Sequence, residues 1–244
     1  MVIRARSLTL ALALLSLGVV MAAGVDPKRV FSDAKLVALA KAAQTADLGT
    51  VQKLLAQGVN VNAAGDIPGG KRMTVLVFAV LAPRIEPLQL LLAAGADPNV
   101  VYEGSTSPLF FSIGKQDPRF VEVLLAARSN PNGSSPSGSL LGEAMIKGKN
   151  EAVKLLLDAG ADANGTHGSD ALLLNSVYWE KLQYFPLLIE RGAKVTPKEL
   201  QALCRYGSNA AIDLDRKGDY FRNYSIAWDY LEKKGIAPPC VRVR

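Results

Sequence analysis

The amino-acid sequence predicts an all-α fold, a solenoid of about five helix-turn-helix units with hairpin-like fingers and a divergent C-terminal capping unit. Three observations support this prediction. The motif Leu-Leu-x-x-Gly, or a close variant of it, recurs at intervals of about 33 residues. A second short apolar segment begins roughly 21 residues before the end of each motif. Clusters of turn-forming residues separate one unit from the next.

Residues 1–24 have the features of a secretory signal peptide. Arg4 and Arg6 precede a mainly apolar run from Leu8 to Val20, and small residues follow it. The run is shorter than the roughly 20 apolar residues of a membrane span. We therefore expect export, with the bacterial periplasm as the destination, and an uncleaved signal anchor is the alternative.

The net charge is mild after this segment is removed. Loss of Arg4 and Arg6 lowers the formal charge of the chain from +6 to +4. A nucleic-acid-binding domain normally carries a dense cluster of Lys and Arg on one face. We therefore expect no nucleic-acid partner and, after cleavage, no membrane partner.

The second helix of each unit carries the recurring motif. Its glycine predicts a left-handed helix end, a conformation that glycine adopts without strain. The third copy departs from the pattern because Arg128 stands in place of this glycine. The five copies are Leu54–Gly58, Leu91–Gly95, Leu124–Arg128, Leu156–Gly160 and Leu188–Gly192. An asparagine follows four residues later in four of them, at Asn62, Asn99, Asn132 and Asn164.

The first helix of each unit begins at a residue that often has a capping side chain. Ser or Thr at this position can accept a hydrogen bond from an otherwise unpaired backbone N–H. Phe78, Phe110 and Phe111 fall on inward-facing positions, and we expect them in the core. The five segments are Val37–Ala42, Thr74–Ala79, Ser107–Ser112, Ser139–Ala144 and Ala171–Ser176.

These features together resemble the ankyrin repeat family. Leu91–Asn99 and Leu156–Asn164 both read Leu-Leu-x-x-Gly-Ala-Asp-x-Asn, the closing motif of an ankyrin repeat. The resemblance covers about residues 32–196. It implies that the chain binds another protein through its fingers and the exposed ends of its first helices. By repeat register, the protein-binding residues would be Lys71, Met73, Leu81, Tyr102, Glu103, Lys115, Ile146, Lys147, His167, Asp170, Tyr178 and Trp179.

The predicted domain organisation is a signal peptide over 1–24, repeats over 25–196 and capping helices over 197–244. Thr196-Pro197-Lys198-Glu199 has the residues of a helix start, and a last helix is expected over Tyr220–Lys234. Cys204 and Cys240 both lie in the capping region. In an exported chain we expect them to form a disulfide, and two free buried thiols are the alternative.

Two of the candidate sites admit a second interpretation. His167 lies in a finger, where solvent exposure or partner contact is expected rather than catalysis. Tyr178 and Trp179 have the composition of an interface, but they could instead close the core against the capping unit.

These observations predict a non-catalytic, cofactor-free scaffold that is monomeric when unbound and binds another protein in the periplasm. It could be an immunity protein that neutralises a secreted toxic effector. The alternative is a helper of a periplasmic enzyme such as a catalase. A different class, an enzyme or metal-binding protein, would use the acidic loop that contains Asp213, Asp215, Asp219 and Tyr220.

Overall fold

The computed structural model describes residues 25–67, 71–101, 106–212 and 218–242, with only the backbone given for Ile67, Lys71, residues 208–212 and Tyr220. The chain divides into two compact units, Met1–Glu103 and Gly104–Arg244. The predicted signal peptide lies outside the described residues. Within the described part of the chain, no helix has the length and apolar character needed to cross a bilayer.

Unit 1 contains two helix pairs joined by a β-hairpin. Asp33 caps the first helix, since its carboxylate accepts hydrogen bonds from the backbone N–H groups of Lys35 and Leu36 at 2.7 and 3.0 Å. The core lies between the first helices of the two pairs, where Leu39 and Phe78 are fully buried. After a short 3₁₀ turn at Pro27–Arg29, the elements are α1 Ala34–Thr45, α2 Leu48–Ala56, β1 Ala64–Ile67, β2 Lys71–Thr74, α3 Val75–Leu81 and α4 Glu86–Ala93.

Unit 2 contains three further helix pairs with two hairpins between them, followed by two longer helices. Its helices and strands are α5 Pro108–Ile113, α6 Arg119–Ala126, β3 Ser134–Ser135, β4 Gly138–Ser139, α7 Leu140–Ile146, α8 Asn150–Asp158, β5 Thr166–His167, β6 Asp170–Ala171, α9 Leu172–Tyr178, a 3₁₀ turn Leu182–Tyr184, α10 Phe185–Glu190, α11 Pro197–Ile212 and α12 Asp219–Lys233.

The predicted caps of the first helices are confirmed at two positions and wrong at one. Ser107 and Ser139 accept hydrogen bonds from the backbone N–H groups of Phe110 and Gly142, at 3.3 and 3.2 Å. Thr74 also stands at a helix start, but its hydroxyl makes no capping bond. That hydroxyl is buried without a partner, because Thr74 ends strand β2 and its side chain lies in the core of unit 1.

The recurring asparagines connect neighbouring helix pairs. In unit 1 the side-chain amide of Asn62 donates to the carbonyl of Gly95 at 2.8 Å, and its oxygen accepts from the N–H of Asp97 at 2.7 Å. In unit 2 Asn132 makes the same two bonds to Gly160 and Asp162, and Asn164 makes them to Gly192 and Lys194. Each partner segment begins at a glycine with positive φ, the helix end that the motif predicts.

The all-α class is too narrow, because the fingers contain regular β structure. Strands β1 and β2 pair antiparallel, with Gly65 opposite Met73. Strands β3 to β6 form one four-stranded antiparallel sheet in chain order. Over the residues that the structure describes, the chain is therefore mainly helical, with two small sheets formed by the hairpins.

The disulfide prediction is confirmed in the C-terminal part of unit 2. Cys204 in α11 is bonded to Cys240 in the tail after α12, with 6.0 Å between their Cα atoms. The predicted start of α11 is also observed: Glu199 accepts from the backbone N–H of Thr196 at 2.9 Å, and Thr196 accepts from that of Lys198 at 3.2 Å.

Candidate functional site

The two fingers of unit 2 meet at one pair of residues. Gly138 in β4 lies directly opposite His167 in β5. Gly138 has φ +143°, and a Cβ at this position would lie 2.6 Å from the Cα of His167. Only glycine allows this approach, so the finger carrying His167 is held tightly against the preceding one.

The His167 ring packs between a tryptophan and a glycine. Its ring centre is 5.1 Å from that of Trp179, edge to face at 89°. Its Nδ1 would lie 2.7 Å from a Cβ on Gly142 in α7, so the imidazole covers a position without a side chain. Nδ1 is buried without a hydrogen-bond partner. Burial lowers the pKa of His167, while the Glu143 carboxylate and the Ser139 backbone oppose this shift more weakly.

Two polar side chains fix the tip of the same finger. The buried amide of Asn175 donates to the backbone carbonyls of His167 and Asp170, at 2.9 and 3.0 Å. The Asp170 carboxylate forms an ion pair with Lys198 at 2.8 Å. Within this ion pair, the hydrogen bond that Lys198 donates to Asp170 and the negative charge of Asp170 both raise the pKa of Lys198. The finger is therefore anchored both to α9 and to the start of α11.

Exposed apolar side chains stand at the ends of the two helices that this finger contacts. Tyr178, at the end of α9, is 55% exposed, and Ile146, at the end of α7, is 44% exposed. Lys147 pairs with Glu143 at 2.8 Å, and its Nζ lies 5.4 Å from the ring centre of Phe110. We call the following six residues the finger surface: Ile146, Lys147, His167, Asp170, Tyr178 and Trp179.

The expectation that Phe110 and Phe111 are core residues is wrong. Both are partly exposed, and their ring centres are 5.4 Å apart. Phe78, in contrast, is fully buried as expected. Helix α5 has only six residues, and Leu109 and Ile113 fill its buried face. The two phenylalanines therefore lie beside the core of unit 2 instead of inside it.

Other predicted contact residues fall elsewhere. Met73 is fully buried, which contradicts its predicted role in partner contact, because β2 turns this side chain into the core and leaves Arg72 exposed. Leu81 is partly exposed at the end of α3. Lys115 packs its ammonium 4.6 Å from the ring centre of Phe120. Only the backbone of Lys71 is described, in β2, and Tyr102 and Glu103 lie outside the described residues.

Sequence reasoning missed three residues that organise the finger surface: Gly142, Glu143 and Lys198. Glycine inside a short helix is unfavourable by about 1 kcal/mol, which is a usable signal for a close approach at Gly142. Glu143 lies four residues before Lys147, the spacing of a helical ion pair. Nothing in the sequence indicates that Lys198 reaches Asp170, 28 residues earlier.

The acidic loop proposed for the alternative class lies largely outside the described residues. Asp213 and Asp215 are not described, and only the backbone is given for Tyr220. Asp219 begins α12 and pairs with Arg222 at 3.1 Å. Among the described residues, no group of three or more His, Cys, Asp or Glu side chains is placed to hold a metal ion.

Comparison with known proteins supports the repeat resemblance over a limited stretch. No family model matches the chain. A segment of 60 residues, 25% of this chain, is 38% identical to an ankyrin repeat protein of fowlpox virus. The segment spans 10% of that viral protein's length. This similarity supports a relationship to ankyrin repeats.

Proposed function

We propose that this chain is a non-catalytic protein-binding scaffold and that its partner contacts the finger surface of unit 2. One observation carries the proposal. Tyr178 and Ile146 are exposed at the ends of α9 and α7, the two helices that the finger of His167 contacts. The charged residue Lys147 follows Ile146 in the chain, and Asp170 lies in the finger itself. Interfaces are enriched in aromatic side chains with polar groups around them.

The finger surface is already ordered before a partner binds. Asn175 and Lys198 fix the finger, and Gly142 allows the His167 ring to pack directly on α7. An ordered binding surface loses less conformational entropy on association. The similarity to an ankyrin repeat protein gives independent support, because stacked repeats present extended binding surfaces.

The proposal places the protein in an oxidising compartment, the periplasm of a bacterium. The Cys204–Cys240 disulfide supports this location, because such bonds persist outside the reducing cytosol. The basic and apolar N-terminal segment supports export. Within this class, the proposed role is neutralisation of a secreted toxic effector.

The test is a pull-down. The exported chain is purified and immobilised, and it is then used to capture a partner from periplasmic extract. Tyr178→Ala/Trp179→Ala is compared with Ile226→Ala/Val241→Ala, which removes exposed apolar side chains elsewhere in unit 2. An interface hot spot is worth about 2 kcal/mol or more. The first variant should therefore bind the captured partner about 30-fold more weakly, and the second should bind it like wild type.

The captured partner decides the finer role. One-to-one inhibition of a toxic enzyme supports an immunity function. Loss of a resident enzyme's activity after deletion of this chain would instead show a helper. Equal losses of binding in both variants, with both folded, would place the interface outside the finger surface.

A further inference from the structure

A row of lysines follows the inter-helix turns of unit 2. Each of the three helix pairs in this unit places at least one lysine just after its first helix. We call these four residues, on successive turns, the lysine row: Lys115, Lys147, Lys149 and Lys181.

Side-chain contacts bring the turns together. The Lys149 ammonium donates to the carbonyl of Lys115 at 3.1 Å and to Oε1 of Gln116 at 3.4 Å. On the next turn, Nζ of Lys181 lies 3.8 Å from the position that a Cβ on Gly148 would occupy. The lysines therefore form one continuous surface, although they are spread over a long stretch of sequence.

The positive charge of this row is only partly compensated. Lys147 is paired with Glu143, and both carboxylate oxygens of Asp117 accept hydrogen bonds from the Arg119 guanidinium. Glu180 is the further acidic side chain in these turns.

Lys149 and Lys181 have no carboxylate partner among the residues that the structure describes. Lys149 bonds to a carbonyl and an amide oxygen, both of which are neutral. Lys181 makes no ion pair among the described residues. Burial lowers the pKa of Lys115, with an opposing effect from Asp117, so an added anion would stabilise its charged form.

We propose that the lysine row binds an acidic segment of the protein partner, a run in which Asp or Glu side chains are spaced along an extended chain. This inference rests on the proposed function and names the chemistry of the partner. Ile146 and Tyr178 are both exposed and stand at the same two helix ends as Lys147 and Lys181, so a bound segment can combine apolar and acidic contacts. Asp117 and Glu180 interrupt the row, which suits spaced carboxylates better than a continuous phosphate surface.

The probe is a fluorescent oligoglutamate peptide titrated with the full chain at low ionic strength. Lys149→Gln/Lys181→Gln is compared with Lys154→Gln/Lys194→Gln, which makes the same charge change on exposed lysines elsewhere in unit 2. Each exposed ion pair contributes little by itself, but the first variant removes two of them. It should therefore bind on the order of tenfold more weakly than wild type. The control should change less than about twofold, and salt should weaken all binding.

Circular dichroism establishes that each variant is folded. Because Lys149 also joins two turns, the single variant Lys181→Gln keeps the test valid if the double variant is unstable. Equal losses in the lysine-row and control variants would overturn the proposal. Binding to phosphatidylglycerol vesicles without binding to oligoglutamate would also overturn it, in favour of a membrane surface.

The acidic-segment proposal and the proposed function can be refuted separately. Tyr178→Ala/Trp179→Ala should retain oligoglutamate binding, because the lysines are unchanged. Peptide binding that depends on Lys149 and Lys181, without any captured protein partner, would contradict the scaffold proposal alone. A captured partner that is indifferent to both lysines would contradict the acidic-segment proposal alone.

Discussion

Substitution of Gly142 by alanine tests whether the finger of His167 is held by close packing on α7. A Cβ at this position would lie 2.7 Å from His167 Nδ1, 2.8 Å from His167 Cβ and 2.9 Å from Leu172 Cδ2. His167 Cβ is bonded directly to the backbone, and the Leu172 side chain is enclosed by the core, so neither atom can move away easily. The finger must therefore move for the methyl group to fit.

Two opposing effects set the size of the change. Alanine is favoured over glycine inside a helix by about 1 kcal/mol. Overpacking of a well-packed site typically costs about 1–3 kcal/mol. Because three atoms are too close at once, we expect the clash to dominate, with a net loss of about 1–2 kcal/mol in the free energy of unfolding.

Urea unfolding followed by tryptophan fluorescence measures this loss, since Trp179 and Trp228 both lie in unit 2. The control is Gly114→Ala, where the nearest atom, the carbonyl oxygen of Phe111, would be 3.5 Å from the new Cβ. This control should change stability by less than about 0.5 kcal/mol. A Gly142→Ala protein as stable as wild type would refute the packing of the finger described above.

Three further predictions concern separate features. Asn62→Ala should lower the free energy of unfolding by about 1–2 kcal/mol, because it removes two hydrogen bonds to the next helix pair. The control is Asn60→Ala, which removes a short-range turn bond and should cost about 0.5 kcal/mol in the same denaturation assay. Since burial lowers the pKa of His167, protonation favours the unfolded chain, so stability should fall as the pH drops below about 6.5. His167→Phe should reduce this pH dependence of the free energy of unfolding between pH 7.5 and 5.5. An unchanged pH dependence in the variant would contradict the prediction. Reduction of the disulfide opens a loop with a sequence separation of 36 residues and should lower the melting temperature, with a loss of up to about 4 kcal/mol; a Cys204→Ser chain should melt at the same temperature with and without reductant.

The helix pairs could be predicted because their signals are local and repeated. Each copy of the leucine motif supplies a buried face and a glycine or arginine with positive φ at the helix end, including Arg128 at φ 67°. The asparagines were visible as a regular feature of the sequence. Their bonds to the next pair, such as those of Asn164 to Gly192 and Lys194, depend on how consecutive pairs pack and have no local signature.

The proposed binding surface was harder to predict because fingers alternate their side chains over very few residues. In a strand, neighbouring residues face opposite sides, so a shift of one residue exchanges a buried and an exposed position. Met73 illustrates this, since it was expected to contact a partner but is fully buried, whereas its neighbour Arg72 is exposed. Tyr178 was easier to place, because it stands at the end of a helix whose buried positions are fixed by Leu173, Leu174 and Val177.

The most direct test of the scaffold account is site-specific photo-cross-linking in living cells of the source organism. A photoreactive phenylalanine analogue replaces Tyr178 on the finger surface or, as a control, Glu122, an exposed residue of α6. The account predicts a covalent adduct with one exported protein from position 178 and none from position 122. Adducts of equal yield from both positions, or an adduct from position 122 alone, would contradict the claim that this protein binds its partner through the finger surface.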